Sequence, residues 1–406
     1  MSIAGAHIRT TQRFVQRQIA TGFEYDDFRG QGHGLGHNPV QTQYHSFDNS
    51  GGGAGSSRSH CSAHLADPAT VSIVGAPINC GQPHLGTDKG PEILRNQGLS
   101  QHLATLDWRV EDAHDLRCNL PSASDPPPPP GANAKHCFAV GRANESLAKV
   151  VAEKACEGKF PLVLGGDHSV GIGSVAGALR ARPDTAVLWV DAHADLNTPW
   201  TSPSGNIHGM SISFLLDAVA ASAGVSAPRE LAGLPLRAAS ATLPGFAWLG
   251  ASGQPGLRPD QLAYVGLRDV DKGEAAILQE LGIRCFTMHD VDRHGIGKTV
   301  EMALDHLLGV GAGAGGGRRP LHLSFDVDAV DPDLAPSTGT VVRGGLTYRE
   351  AHFLAEAVAC SGALTSMDMV EVNPDLGRLA EDDRAAESTA GLAIQIIGSA
   401  LGNTIL

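Results

Sequence analysis

The sequence predicts an α/β fold: one three-layer α/β/α domain whose central sheet is mainly parallel. Short runs that are apolar at every position, such as Ala-Val-Leu-Trp-Val at 186–190, fit strands buried on both faces. These runs alternate with helix-like stretches, as in the order 161–164, 173–182, 186–190, the rhythm of parallel strands joined by right-handed crossovers. Five of the runs end in polar clusters, at 165–169, 191–195, 268–274, 326–331 and 371–373. Ligands bind at the carboxyl ends of strands in open parallel sheets, so the five clusters are expected to meet in one crevice. Taken singly, 268–274 and 371–373 read better as helix caps.

Residues 1 to about 23 carry Arg9, Arg13 and Arg17 at four-residue spacing and no acid before Glu24. Two readings stand for them, an organelle transit peptide and a plain basic tail. From 24 to 67 the chain is polar and Gly/Ser-rich, which predicts a disordered extension with solvated histidines. Val71 to Gly75 is the first expected strand, and Gly90-Pro91-Glu92 opens a helix with proline in its first turn. The five prolines at 126–130 predict a stiff surface excursion, and helical periodicity resumes from Ala143 to Lys154. A polar loop follows the 186–190 run, and the Ala/Gly/Pro-rich stretch 217–256 reads as a helix plus an irregular insert. Further strands are expected at 262–266, 283–287, 321–325 and 366–372, with helices at 299–308, 346–358 and 384–401. The Gly/Ala stretch 309–317 lacks the strand–turn–helix setting of a phosphate-binding turn and reads as a flexible loop. The catalytic domain is therefore placed at 68–406.

Acidic residues outnumber basic ones, 43 to 30, for a net charge of −13. That balance argues against a nucleic-acid partner, which would need basic patches. No apolar run approaches the ~18 residues a membrane span requires. Seven scattered cysteines with no Cys-x-x-Cys read as reduced thiols in an intracellular protein. Cytoplasmic location is expected, or mitochondrial or other organellar import if residues 1–23 act as a targeting segment.

The chemistry concentrates after the 186–190 run, in Asp191, His193 and Asp195. Alternation in an extended segment puts the three side chains on one side. Burying such acids together costs roughly several kcal/mol unless a cation sits among them. His168 ends a second run, and Asp326 and Asp328 end a third. Six oxygen and imidazole donors without a thiolate are too many for one tetrahedral zinc. They suit two divalent ions sharing carboxylates, with manganese first and magnesium, cobalt or iron as alternatives.

These same blocks carry a resemblance. Gly165-Gly166-Asp167-His168-Ser169, Asp191-Ala192-His193-Ala194-Asp195 and the Ser324–Pro332 stretch resemble the signature blocks of the ureohydrolases. Within that superfamily the chain is most similar to the arginases, through the 75–83 opening, the Asn197–Asn206 loop, the 266–274 block and Glu371-Val372-Asn373-Pro374. The likeness runs from about Val71 to the C-terminus. Agmatinases share the metal blocks but generally not the 197–206 loop.

The resemblance implies an arginase-like fold with two manganese ions per subunit. It places one ion on His168, Asp191, Asp195 and Asp326 and the other on Asp191, His193, Asp326 and Asp328. It implies cleavage of L-arginine to L-ornithine and urea, with hydroxide shared by the two ions attacking the guanidinium carbon. Contacts to the substrate α-carboxylate fall on Asn197 and Ser204, those to its α-amino group on Asp271 and Glu274, and Thr340 lies at the same pocket. Asp195 would carry a proton to the departing amine, His208 would shuttle protons, and Glu371 would grip the guanidinium. A homo-oligomer, trimer or hexamer, is implied too, with Arg349 and Glu350 at intersubunit positions. Ala194, where the family usually has threonine, and Trp200 and Pro203 in the substrate loop depart from the pattern.

Three rival functions remain. One is a ureohydrolase acting on agmatine or guanidinobutyrate. Another is a zinc-dependent deacetylase, against which stand the absence of a His-His pair and the presence of only four tyrosines. The last is a non-catalytic arginine-binding regulatory protein, against which stands the complete donor set.

Overall fold

Eight strands form one sheet: β1 (Thr70–Ala76), β2 (Arg109–Asp115), β3 (Phe160–Gly165), β4 (Ala186–Val190), β5 (Leu262–Leu267), β6 (Arg284–Thr287), β7 (Leu321–Asp326) and β8 (Leu364–Val370). The computed structural model describes residues 62–118, 120–224, 229–309, 317–379 and 384–404. The expectations for residues 1–61 and 310–316 lie outside them.

The sheet order is β2-β1-β3-β8-β7-β4-β5-β6, and every pair is parallel. The chain builds outward from β4 to β6, jumps back to β7, and ends its strands with β8 inserted between β3 and β7. The strand ends β3, β8, β7 and β4 thus lie side by side, the reversal of strand order at which such sheets hold ligands.

Alternation along each strand feeds two cores, one per face. Leu188 and Val190 of β4 pack with Ile73, Leu162 and Leu323 and with Leu94, Leu354 and Ile396 from the helices Gly90–Asn96, Tyr348–Cys360 and Ala385–Ala400. Val187 and Trp189 point the other way, against Val175 and Leu179 of the helix Val170–Ala181 and Ile277 of the helix Lys272–Leu281. Leu147 and Val151 of the helix Cys137–Cys156 extend that second layer over Val74 and Val163. The three-layer α/β/α architecture expected from the sequence is the one observed.

Several elements differ from expectation for physical reasons. β2 was not expected, because its sequence Arg-Val-Glu-Asp-Ala-His-Asp has no apolar run. It is a charged edge strand, which discourages pairing with other chains. Arg95 anchors it through Asp112 (2.8 Å) and Asp115 (2.6 Å). The helix expected from Thr299 begins eleven residues earlier and spans Met288–Leu308, broken at Gly295, whose φ is 75°. Its first half buries only Val291, so the apolar stripe that would announce it is missing. β8 stops at Val370 rather than 372 because Glu371 turns to a left-handed φ of 63°. Among the described residues of 217–256, the helix is the short Leu236–Ser240, set among 3₁₀ turns. No helix of the described residues is long and apolar enough to cross a membrane.

Candidate metal centre and substrate cavity

The strand ends deliver two imidazoles and four carboxylates to one place. His168 follows β3, and its Nδ1 lies 3.0 Å from Asp191 Oδ2, 3.1 Å from Asp195 Oδ2 and 3.0 Å from Asp326 Oδ2. His193 Nδ1 lies 3.3 Å from Asp191 Oδ1 and 3.2 Å from Asp328 Oδ2. Asp191 therefore offers one oxygen to each group. His168 and all four aspartates are buried, while His193 is partly open.

The backbone makes this crowding possible. A Cβ on Gly166 would sit 1.8 Å from the Ile78 carbonyl oxygen, so only glycine lets the 77–82 loop pass there. Asp195 takes φ 48° and Glu371 φ 63°, left-handed values rare for side-chain-bearing residues and typical of functional sites. Arg268, just beyond β5, donates to the carbonyls of Asp328 (2.6 Å) and Val342 (2.7 Å) and ties down the 327–342 segment.

Without counter-charge the cluster is frustrated. Burial, then repulsion from Asp328 and Asp191, drives the Asp326 carboxyl well above its ordinary range. Burial and Asp191 push Asp195 up to about 6. Burial works to raise Asp191 too, but the imidazoles of His168 and His193 outweigh it and hold that group low. His168 Nδ1 and Asp195 Oδ2 are buried with no hydrogen-bond partner although they lie within 3.1 Å of each other. Carboxylate oxygens and imidazole nitrogens converging at this range are what a divalent cation satisfies, and this donor set fits one at each of two centres: His168, Asp191 and Asp195, and Asp191, His193 and Asp328.

A cavity of about 190 Å³ opens beside the cluster. His193, Asp195 and Asp326 line it together with Asn197, Asp271, Glu274, Thr340, His208 and Asp269. Asn197 Nδ2 donates to Asp271 Oδ2 (2.7 Å), and Thr340 Oγ1 donates to Asp328 Oδ2 (2.8 Å). Asp271 also caps the helix Lys272–Leu281, in a box where Glu274 accepts from the Asp271 N–H at 3.1 Å. The cap and cavity readings of the 268–274 cluster are thus both realised. Burial raises Glu274 to about 7 against the backbone donors of Leu196 and Asp271.

Two expected substrate residues do not line the cavity. Ser204 is exposed, its Oγ accepting from Asn206 N at 3.2 Å. Glu371 lies behind His208, buried, and its oxygens accept from His168 N (2.8 Å), Gln82 Nε2 (2.7 Å) and His208 Nδ1 (3.3 Å). Burial works to lower the His208 pKa, but Glu371, Asp195 and Asp167 outweigh it and lift the imidazole to about 9. Sequence reasoning missed Gln82, Arg268, Trp189 and Ser324 as parts of the site. Trp189 stacks on His168 at 4.0 Å and donates to Asp191 Oδ2 (2.9 Å); Ser324 Oγ lies 2.9 Å from His168 Nε2. Trp189 and Ser324 precede metal-ligand candidates by two residues, a period-2 signal that strands make readable.

The model of the arginase family matches residues 69–402. Arginase-1 of Homo sapiens is 44% identical over 326 residues, covering 80% of this chain and 91% of that protein. An arginase of Glaciozyma antarctica is 42% identical over 345 residues, 85% of this chain and 91% of the other. The native structure of arginase from Bacillus caldovelox superposes with a TM-score of 0.68 at 36% identity, covering 83% of this chain and all of that one (100%). With a family match over most of its length and relatives above two-fifths identity, the chain belongs to the arginase family.

Proposed function

We propose that this chain hydrolyses the guanidinium of L-arginine to L-ornithine and urea, holding two Mn²⁺ ions per subunit. The observation that carries the proposal is the Asp191 shared between two donor groups, whose His193 and Asp195 line a cavity together with Asn197 and Asp271. His168, Asp191, Asp195 and Asp326 would hold one ion, and Asp191, His193, Asp326 and Asp328 the other. When bound, a pair of divalent ions supplies a strong nucleophile from water at neutral pH.

The rest falls to the chain's own groups. The cavity is walled by acids, which favours a cationic guanidinium over a neutral amide. Asn197 and Asp271 orient the amino-acid end, Asn197 toward the α-carboxylate and Asp271 with Glu274 toward the α-amino group. Thr340 steadies Asp328 from the same side. Asp195 passes a proton to the departing amine. His208, at the cavity wall and backed by Glu371, moves protons between the site and solvent. Glu371 acts on the guanidinium through His208, because its own oxygens are taken by three donors. We place the protein inside the cell, as a homo-oligomer with Arg349 and Glu350 at the subunit contact.

The deciding experiment loads purified chain with Mn²⁺ and compares urea release from L-arginine, agmatine and guanidinobutyrate. Arginine should be fastest by a wide margin. Faster release from agmatine overturns the substrate assignment, and arginine binding without urea release overturns the enzymatic one.

A further inference from the structure

The two central strands bury an unusual amount of polarity. Along β7 the residues His322, Ser324 and Asp326 share one face, alternating with Leu321, Leu323 and Phe325. On β8, Ser366 and Asp368 stand in register beside His322 and Ser324. All five are at most 2% exposed, as is Ser174 on the helix above. Five polar side chains in the middle of a parallel sheet are costly unless they satisfy one another.

Asp326 faces His168, and the other four, with Ser174, satisfy one another in one direction. Ser324 Oγ donates to Asp368 Oδ1 at 2.7 Å. Asp368 Oδ2 accepts from Ser174 Oγ and from His322 Nε2, the latter at 3.0 Å, and His322 Nδ1 meets Ser366 Oγ at 2.8 Å. Three donors, from Ser324, Ser174 and His322, thus converge on the Asp368 carboxylate. An ionised carboxylate only accepts, and a serine has a single hydroxyl proton. Since that proton goes to Asp368, Ser324 Oγ is left to accept from His168 Nε2–H across 2.9 Å. Nε2 is then the nitrogen that keeps its proton, and Nδ1, which faces Asp191, Asp195 and Asp326, is the one a cation would take.

We propose that Asp368 is a positioning residue of the metal centre: acting through Ser324, it fixes the His168 tautomer that presents Nδ1 to a divalent ion. His322 and Ser174 hold Asp368 in the orientation this requires. The inference rests on reading the cluster as a two-ion site. It differs from a packing role in being selective, because only the ion held by His168 depends on the chain, whereas the His193 group does not touch it.

The test uses metal-stripped full-length protein titrated with Mn²⁺ by equilibrium dialysis, in the parent, Asp368→Asn, Ser324→Ala and the double variant. The parent should take up two ions. In each single variant one site should weaken by about 10–100-fold, the size of effect such outer hydrogen bonds have on metal affinity, while the other stays unchanged. The double variant should be no weaker than Ser324→Ala alone, because residues acting through a shared link are not additive. Unchanged affinities in Asp368→Asn, equal loss at both sites, or losses that add in the double variant overturn the inference. A parent that binds no divalent ion overturns the metal reading instead. Should Asp368→Asn fail to fold, ring-nitrogen NMR of zinc-loaded parent and Ser324→Ala decides. The parent should show His168 protonated at Nε2, and protonation at Nδ1 refutes the proposal.

Discussion

His208 Nδ1 lies 3.3 Å from Glu371 Oε1, and the same oxygen accepts the His168 backbone N–H at 2.8 Å. The wall of the cavity and the end of β3 are thereby tied to one carboxylate. A histidine raised from 6.5 to about 9 stabilises the fold most where it is protonated in both states. In the metal-free chain the advantage of the parent over His208→Asn should be full below about pH 6.5 and vanish as pH rises through about 9. Thermal unfolding across that range checks it; a constant difference between the two proteins contradicts the pairing.

Replacing Asp195 with Asn preserves size and tolerates the left-handed φ of 48° at that position. Urea release should fall by about 10²–10⁴-fold, with an unchanged far-ultraviolet circular dichroism spectrum. Near-parental turnover would remove Asp195 from the proton transfer proposed for it.

Asn197→Ala and Asp271→Ala should weaken arginine in the same sense but differ in stability. Both break the 2.7 Å contact between them, so both should raise KM with little change in bound metal. Asp271 alone also caps a helix, and its loss should cost about 1 kcal/mol more in denaturant unfolding. Equal stabilities would mean the cap is idle, and an unchanged KM would detach this side of the cavity from substrate recognition.

Metal removal should cost stability, because burial and neighbouring acids already press on Asp326 and Asp195. Mn²⁺ supplied at about 1,000 times its dissociation constant should restore about 4 kcal/mol relative to chelated protein. Differential scanning calorimetry with and without chelator reads this directly, and coincident melting curves would contradict a folded-state ion site.

Much of this architecture could be read from residues alone, and the exceptions share a cause. β3, β4 and β5 announce themselves because strands buried on both faces are apolar nearly throughout. β2 is an edge, half exposed and charged, and hydrophobic patterning is blind to it. The first half of Met288–Leu308 buries one side chain, so it has no stripe to detect. At the site, the six donors stood out because acids and imidazoles at strand ends are hard to explain otherwise. Ser324 and Asp368 did not, since single polar residues inside apolar strands look like tolerated exceptions. Ser204 was expected at the cavity from the resemblance of its loop to the arginases, but a loop's side-chain directions depend on backbone angles that sequence does not specify.

The placement of β8 has a consequence for biogenesis. Its partners β3 and β7 are synthesised earlier, yet it lies between them, and Glu371 follows directly after it. A ribosome that has released β1 through β7 has therefore produced two halves with no seam. Such pairing across long sequence separation is slow to form and exposes unpaired edges meanwhile. Chaperone dependence during translation, and complete inactivity of any product truncated before residue 364, follow from that late closure.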